Sequence, residues 1–139
     1  MNKQEVIDAL NARKPAFIEM LGGSVTDIDR QSRTCTYEFN VSKDFCHSIN
    51  VVQGGFITSM LDAAMSHAVF AELDGSLKNV SSLEIKTSFL EPTNAGRITA
   101  IGKVMKSSYK TAFLEAQLFN DKGALTATAS SVAKLVRSK

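Results

Sequence analysis

The chain has 139 residues, of which 44% are hydrophobic and 22% are charged, and its net charge is +2. These values are typical of one globular domain with a single core, spanning residues 1–139. The small net charge and the absence of a Lys/Arg-rich block argue against a nucleic-acid partner. No apolar run reaches the roughly 20 residues of a membrane span. The N-terminus has scattered charges and no apolar signal core, so we expect a cytoplasmic protein with no membrane partner.

The first half of the chain predicts a short helical segment followed by two strands. Apolar residues recur at helical intervals from residue 2 to about residue 21, and Pro15 either divides this stretch or starts its second helix. Residues 24–28 and 34–41 predict two strands, the second with strict alternation of apolar and polar residues. Residues 42–52 have no clear period and are predicted to form a loop.

The stretch 50–72 contains a long buried helix, which is predicted to begin near Gly54-Gly55. A glycine pair, Gly54-Gly55, precedes a run of helix formers with apolar residues on nearly every side. Asp62 interrupts this run, although carboxylates are rarely buried without a partner or a task. Seven residues separate Asp62 from Gly55, which places them on nearly the same helix face, about 10 Å apart along the axis.

Two interpretations of this helix follow from the residues alone. The N–H groups of the first turn are unpaired donors at the positive end of the helix dipole, and they can hold a carbonyl oxygen that becomes an oxyanion. Glycine lets a substrate approach that backbone closely, and Asp62 would supply a base or nucleophile. The alternative is a Gly-Gly turn before a core helix, with Asp62 bonded to a neighbouring backbone group. The residues alone support this alternative at least as well.

The second half predicts a loop around Asp74-Gly75 and then four strands joined by tight connections. Residues 120–123 form a hairpin turn with Gly123 at the position that favours positive φ. A curved antiparallel sheet can wrap a helix that is buried on most sides, which predicts an α+β fold. The four strands are predicted at residues 80–90, 97–106, 111–119 and 124–136.

This layout resembles the hotdog fold, in which a curved antiparallel β-sheet wraps one long central helix. Within that fold the chain resembles the acyl-CoA thioesterases related to the phenylacetate-pathway enzymes, in the 4-hydroxybenzoyl-CoA thioesterase superfamily. The resemblance covers nearly the whole chain. The residues that carry it are Asn50, Gln53-Gly54-Gly55, Asp62 and the segment VSSLEIKTSFLEP at 80–92.

Gln53 departs from the family pattern, which usually has histidine at that position. Glutamine donates a hydrogen bond but carries no proton charge near neutral pH, so an acid–base role is lost. We expect Gln53 either to polarise or orient the substrate or only to cap the helix, and the sequence supports both roles equally.

The resemblance implies roles for several residues. Asp62 would be the general base that activates water, or a nucleophile that forms a mixed anhydride with the acyl group. The backbone N–H of Gly55 would stabilise the oxyanion, and Asn50 would orient the water or the thioester. Ser82 would help to position the water, with Ser81 as the neighbouring candidate because a slip of one residue exchanges their faces. A solvent-facing strand residue is the alternative for Ser82.

The implied substrate is an aryl- or medium-chain acyl-CoA, hydrolysed to free acid and CoA. Gly54 and Phe56 would contact the substrate, and Lys110 would meet a CoA phosphate. No metal and no bound cofactor are expected, since CoA is part of the substrate. We expect a homodimer or homotetramer with sites at the subunit interface.

Three alternatives remain open at this point. One is a non-catalytic acyl-thioester binding protein, which Gln53 makes a real possibility. A second is a hotdog dehydratase or hydratase, which usually needs a histidine paired with an acid, and neither His47 nor His67 falls in a matching motif. A third is that the substrate is an acyl-carrier-protein thioester rather than a CoA ester.

Overall fold

The protein is described here from a computed structural model that covers residues 1–73 and 75–138. Asp74, in the loop predicted after the central helix, lies outside the described residues. The helices are α1 (Lys3–Ala12), α2 (Ala16–Met20), a 3-10 helix (Lys43–Phe45) and α3 (Gly54–Glu72). The strands are β1 (Gly23–Asp29), β2 (Thr34–Val41), β3 (Cys46–Ser48), β4 (Val51–Val52), β5 (Leu77–Phe89), β6 (Gly96–Ser107), β7 (Thr111–Phe119) and β8 (Leu125–Arg137).

Six strands form one antiparallel sheet in the order β1-β2-β6-β7-β8-β5. Alternate residues of its central strands face α3 and are buried, as the period of two predicts. The sheet therefore wraps the helix, and the architecture is the expected hotdog fold. The buried residues on this face include Ile98, Ala100, Val104, Ala112, Leu114, Leu118, Ala127, Ala133 and Leu135.

The central helix α3 packs against β2, β5, β6, β7 and β8. Its approach to the sheet is very close at Gly102 of β6, where an added Cβ would lie 2.2 Å from the backbone oxygen of Ala64. Only glycine fits there without moving the helix. This contact fixes the depth of α3 in the sheet, and with it the position of every side chain on the helix.

The N-terminal segment forms two helices that cover one end of the sheet. Asn2 caps α1, because its side chain accepts a hydrogen bond from the backbone N–H of Glu5 at 2.8 Å. Pro15 precedes α2, where its fixed φ suits the start of a helix. The Asn11 side chain bonds both backbone groups of Val25 on β1, at 2.9 and 2.8 Å, which ties α1 to the sheet.

Three features differ from the sequence prediction. The predicted loop at 42–52 contains a 3-10 helix and a two-stranded hairpin, β3-β4. The strand predicted at 80–90 begins earlier, at Leu77. The helix α3 is not buried on all sides, because Gly55 and Phe56 are exposed and Asp62 is half-buried. These residues belong to a strip that the described part of the chain leaves uncovered. None of the helices in the described ranges is long and apolar enough to cross a membrane.

Candidate active site

The N-terminus of α3 is capped by the Gln53 side chain. Its Oε1 atom accepts hydrogen bonds from the backbone N–H of Gly55 at 2.7 Å and of Phe56 at 3.3 Å. A Cβ on Gly55 would lie 2.8 Å from that oxygen, so glycine permits the short contact. The N–H that the sequence assigned to an oxyanion is therefore occupied by the chain's own amide oxygen, and Gln53 is a helix cap in this structure.

The preceding residue, Gly54, offers a different donor. Its backbone N–H makes no hydrogen bond to any group in the described residues, while the next N–H groups bond to Gln53. It lies at the positive end of a 19-residue helix, where an anionic oxygen is stabilised. An added Cβ on Gly54 would lie 3.1 Å from the ring of Phe89, so the space beside this donor is narrow.

A carboxylate and a hydroxyl meet two turns further along the helix. Ser82 of β5 donates a hydrogen bond from Oγ to Oδ1 of Asp62 at 2.7 Å. Asp62 is half-buried and Ser82 is exposed. Ser81 points elsewhere, and its Oγ accepts from the Asn79 side chain at 3.1 Å. The structure thus brings Ser82, rather than Ser81, to the carboxylate.

A β-bulge in β5 explains this arrangement. The pairing with β8 shifts between Ser82 and Glu84, so Leu83 is an extra residue in the strand. The shift reverses the alternation, and both Ser82 and Thr87 face α3 although they are five residues apart. Thr87 forms a hydroxyl–hydroxyl hydrogen bond of 3.0 Å with Thr58 of α3. This second contact is not predictable from the sequence, because a bulge cannot be recognised from alternation alone.

The other predicted site residues are more scattered. Asn50 lies in the turn between β3 and β4 with a φ of 66°, a conformation that asparagine tolerates better than most residues. Phe56 is exposed beside the helix tip and packs edge-to-face on Phe45, with ring centroids 4.8 Å apart. Lys110 is exposed in the β6–β7 connection, where its backbone oxygen accepts a hydrogen bond from the N–H of Leu135 at 2.8 Å, so that β8 lies between Lys110 and β5. The structure does not bring Lys110 to the Asp62–Ser82 pair.

Two cavities flank the tip of α3. The aromatic pocket, about 320 Å³, is lined by Phe17, Met20, Leu21, Phe45, Phe56 and Ser59. On the other side lies the strand-side groove, about 620 Å³, whose lining includes His47, Gly54, Ile57, Phe89 and Glu91. A further groove of about 570 Å³ lies on the outer face of the sheet, away from α3, and holds none of the candidate site residues.

Two titratable groups, His67 and Cys35, are buried in the core. His67 is 8% exposed and lies against Tyr37, with its Nδ1 atom 2.8 Å from the backbone oxygen of Ala63. Burial lowers the pKa of His67, which favours the neutral ring. Burial raises the pKa of the Cys35 thiol to about 12, with Asp27 adding to the rise, so this thiol is a poor nucleophile. Within the described residues no cluster of three or more His, Cys, Asp or Glu side chains is placed to hold a metal ion.

The sequence profile of the thioesterase superfamily matches residues 49–127, which is more than half of the chain and contains both the helix tip and the Asp62–Ser82 pair. The chain belongs to the thioesterase superfamily. No curated protein matches it.

Solved structures agree with this membership. A phenylacetic acid degradation-related protein of Ralstonia eutropha JMP134 is 27% identical, with a TM-score of 0.83 over 96% of this chain and 99% of that one. The PaaI protein of the Escherichia coli phenylacetic acid degradation operon is 18% identical, with a TM-score of 0.82 over 96% and 92%. A thioesterase of Haemophilus influenzae is 14% identical, with a TM-score of 0.80 over 99% and 92%. For the Escherichia and Haemophilus structures, with identities this low, the likeness shows only that the fold is shared.

Proposed function

We propose that this thioesterase-superfamily protein hydrolyses an acyl-CoA thioester to a free acid and CoA, with Asp62 at the centre of the reaction. The observation that carries this proposal is the Ser82–Asp62 hydrogen bond on the open strip of α3, where a half-buried carboxylate has one oxygen fixed and the other available. The chemistry uses only side chains, backbone N–H groups and water.

As a general base, Asp62 removes a proton from water while the water oxygen bonds to the carbonyl carbon. The carbonyl electron pair moves onto oxygen, and the resulting oxyanion binds to N–H groups at the tip of α3. When the oxyanion collapses, the carbon–sulfur bond breaks and the CoA thiolate takes up the proton. If Asp62 instead attacks the carbon directly, the carbon–sulfur bond breaks, CoA leaves as the thiolate, and water hydrolyses the resulting mixed anhydride to the free acid and the Asp62 carboxylate. Both routes require the carboxylate.

We infer that each site combines groups from two copies of the chain. Gly54 and Asp62 are eight residues apart on one helix, or about 12 Å along its axis. The N–H groups of the first turn point away from the helix body, so a bound oxygen lies about 3 Å further out. One water molecule bridges only about another 3 Å, so a carbonyl bound at the tip lies beyond the reach of its own Asp62.

The edge of the sheet supports such an assembly. The strand β5 lies at one end of the strand order and is 13 residues long, and it carries Ser82. Its bulged residue, Leu83, is 64% exposed. A long edge strand presents unpaired backbone N–H and C=O groups that are a template for pairing with another strand, and we propose that a second copy covers it in a homodimer or a dimer of dimers. That pairing would place the Ser82–Asp62 pair of one copy at the interface.

The test is thiol release from a panel of aryl- and alkyl-acyl-CoAs by the wild type, Asp62→Asn and a matched control. Asp121→Asn makes the same change in an exposed hairpin turn. We expect Asp62→Asn to lower kcat by about 10²–10⁴-fold with an unchanged circular dichroism spectrum, and Asp121→Asn to match the wild type.

Equal activity of Asp62→Asn and the wild type would remove Asp62 from the mechanism. A second function is favoured by the Gln53 cap, since it occupies the Gly55 N–H: a protein that binds acyl thioesters without turnover. Tight binding of acyl-CoA by a wild type that releases no thiol would establish that function instead.

A further inference from the structure

The hairpin β3-β4 is fastened beside the tip of α3, and it carries His47. The N–H of Gln53, the residue before the helix, donates to the backbone oxygen of Phe45 at 2.9 Å. The N–H of Val52 donates to the backbone oxygen of Thr93 at 2.8 Å. These two bonds hold the hairpin between α3 and the segment that follows β5. His47, in β3, therefore has a defined place next to the helix tip.

His47 and Gly54 line the same cavity, the strand-side groove of about 620 Å³. The N–H of Gly54 makes no hydrogen bond within residues 1–73 and 75–138, whereas the next two N–H groups of the helix bond to the Gln53 side chain. Gly54 therefore supplies the open backbone donor at this end of α3. Sites that stabilise an oxyanion aim several donors at one oxygen, so a second donor is needed here.

Among the side chains that line the groove, His47 offers the free donor. The other polar side chains in the lining are Glu91 and Thr93. An ionised carboxylate such as that of Glu91 accepts hydrogen bonds and donates none. Thr93 is fully buried and donates its hydroxyl to Thr126 at 2.7 Å. His47 is exposed and its ring bonds to no group in the described part of the chain. An imidazole keeps at least one N–H in both its neutral and protonated forms.

Building on the function proposed above, we propose that His47 is a catalytic residue that donates a hydrogen bond to the thioester carbonyl oxygen, beside the N–H of Gly54. When the nucleophile adds to the carbonyl carbon, the carbonyl electron pair moves onto this oxygen. Both hydrogen bonds then strengthen, because the acceptor becomes an anion. His47 keeps its proton throughout this step. A bond that is stronger in the transition state than in the bound substrate raises kcat and changes KM little.

The first test measures binding, so that it does not depend on turnover. The probes are two inert CoA thioethers, each made with a phenyl tail and with a hexyl tail. One carries a ketone near the sulfur, where the thioester has its carbonyl, and the other has a methylene group instead. Calorimetry gives their dissociation constants for the wild type, His47→Phe, His47→Gln and Ser48→Ala. Ser48 follows His47 in β3, is exposed and does not line the groove, so it controls for a change in the hairpin.

We expect His47→Phe, which keeps a ring but has no donor, to weaken the ketone probe about fivefold and the methylene probe less than twofold. His47→Gln keeps an N–H donor, and it should bind both probes within twofold of the wild type, as should Ser48→Ala. In thiol release from acyl-CoAs, His47→Phe should lower kcat about 10²-fold with KM changed less than threefold. His47→Gln should stay within tenfold of the wild-type kcat.

The proposal is overturned if His47→Phe affects both probes alike or neither, if His47→Gln is as impaired as His47→Phe, or if the wild type does not bind the ketone probe. A wild type that shows the fivefold difference between probes but releases no thiol would refute the hydrolase function and leave the donor role of His47 in place. A wild type that releases thiol no faster than His47→Phe would refute the donor role and leave the hydrolase function in place.

Discussion

Gln53 has two candidate roles, helix capping and hydrogen bonding to the substrate, and they predict opposite effects of its mutation on activity. In the structure its amide oxygen holds the N–H groups of Gly55 and Phe56, which makes it a cap. If capping is its role, Gln53→Ala removes an acceptor, lowers stability and releases the Gly55 N–H for a substrate oxygen. If its amide instead donates a hydrogen bond to the substrate carbonyl, the same variant loses a catalytic contact.

The stability effect can be estimated from the cap. Loss of a capping side chain costs about 1 kcal/mol, which for a 139-residue chain lowers Tm by about 3–4 °C. Gln53→Glu keeps an acceptor at the same N–H groups and adds a negative charge at the positive end of the helix, which raises stability by about 0.3–1 kcal/mol. Capping therefore predicts that Tm falls in Gln53→Ala and rises in Gln53→Glu.

The expected effects of the two variants on kcat are opposite to their effects on Tm. With Gln53→Ala we expect kcat at or above the wild-type value, because the Gly55 N–H is released. With Gln53→Glu we expect kcat to fall by about 10²-fold. The new carboxylate and the substrate oxyanion at the helix tip, two negative charges about 5 Å apart, repel by about 3 kcal/mol at an effective dielectric constant of 20. Thiol release and thermal denaturation of the same preparations measure both quantities. A folded Gln53→Ala whose kcat falls tenfold or more, with KM unchanged, would refute the capping role as the whole explanation.

Two further predictions concern the fold. Gly102→Ala should cost at least about 1–3 kcal/mol in urea unfolding, because the new Cβ would lie 2.2 Å from the backbone oxygen of Ala64 and neither backbone can yield; an unchanged midpoint would contradict the close approach. Burial lowers the pKa of His67, so below about pH 6.5 the unfolded chain binds a proton that the folded chain does not, and stability falls as the pH drops. His67→Phe should lose less stability than the wild type between pH 6.5 and 5.5, by at most about 1 kcal/mol, as measured by urea midpoints at both values.

The periodic parts of the sequence predicted the fold well. Buried and more exposed residues alternate along β2, along β7 and along β6 up to Met105, and a strand with one buried face must place every second residue towards α3. The helix α3 was predicted from its composition and from the glycine pair at its start. The hairpin β3-β4 was missed because it is short and depends on one residue, Asn50, in a left-handed conformation rather than on any period.

The site was predictable as a set of residues but not as a set of contacts. The choice between Ser81 and Ser82 depended on the bulge at Leu83, which shifts the register within the strand. Whether the Gly55 N–H is free or hydrogen-bonded depends on the conformation of the Gln53 side chain, which no spacing in the sequence specifies. Sequence patterns predict which face of a helix or strand a residue occupies. A hydrogen bond between two side chains also depends on the register between the two elements that carry them.

The proposed sharing of each site between two copies leads to a prediction about mixtures of inactive variants. Gly54 is the first residue of α3, and Gln53 before it has a ψ of 137°, so the backbone accepts proline at position 54, although the Phe89 ring, 3.1 Å from the new Cβ, must shift slightly. Gly54→Pro removes the unbonded N–H while keeping the helix start, and we expect it to be inactive, as we do for Asp62→Asn. In a random mixture half of the dimers are mixed, and each mixed dimer has one site with both defects and one with neither.

Unfolding and refolding the two variants together should therefore restore about a quarter of the wild-type activity, although each variant alone has almost none. If both groups of a site came from one chain, every site in the mixture would carry one defect and no activity would return. The control refolds Asp62→Asn with itself at the same total concentration. Because the two variants share the same fold and differ only in whether the N-terminus or the middle of α3 is disabled, recovery reports the geometry of the site directly.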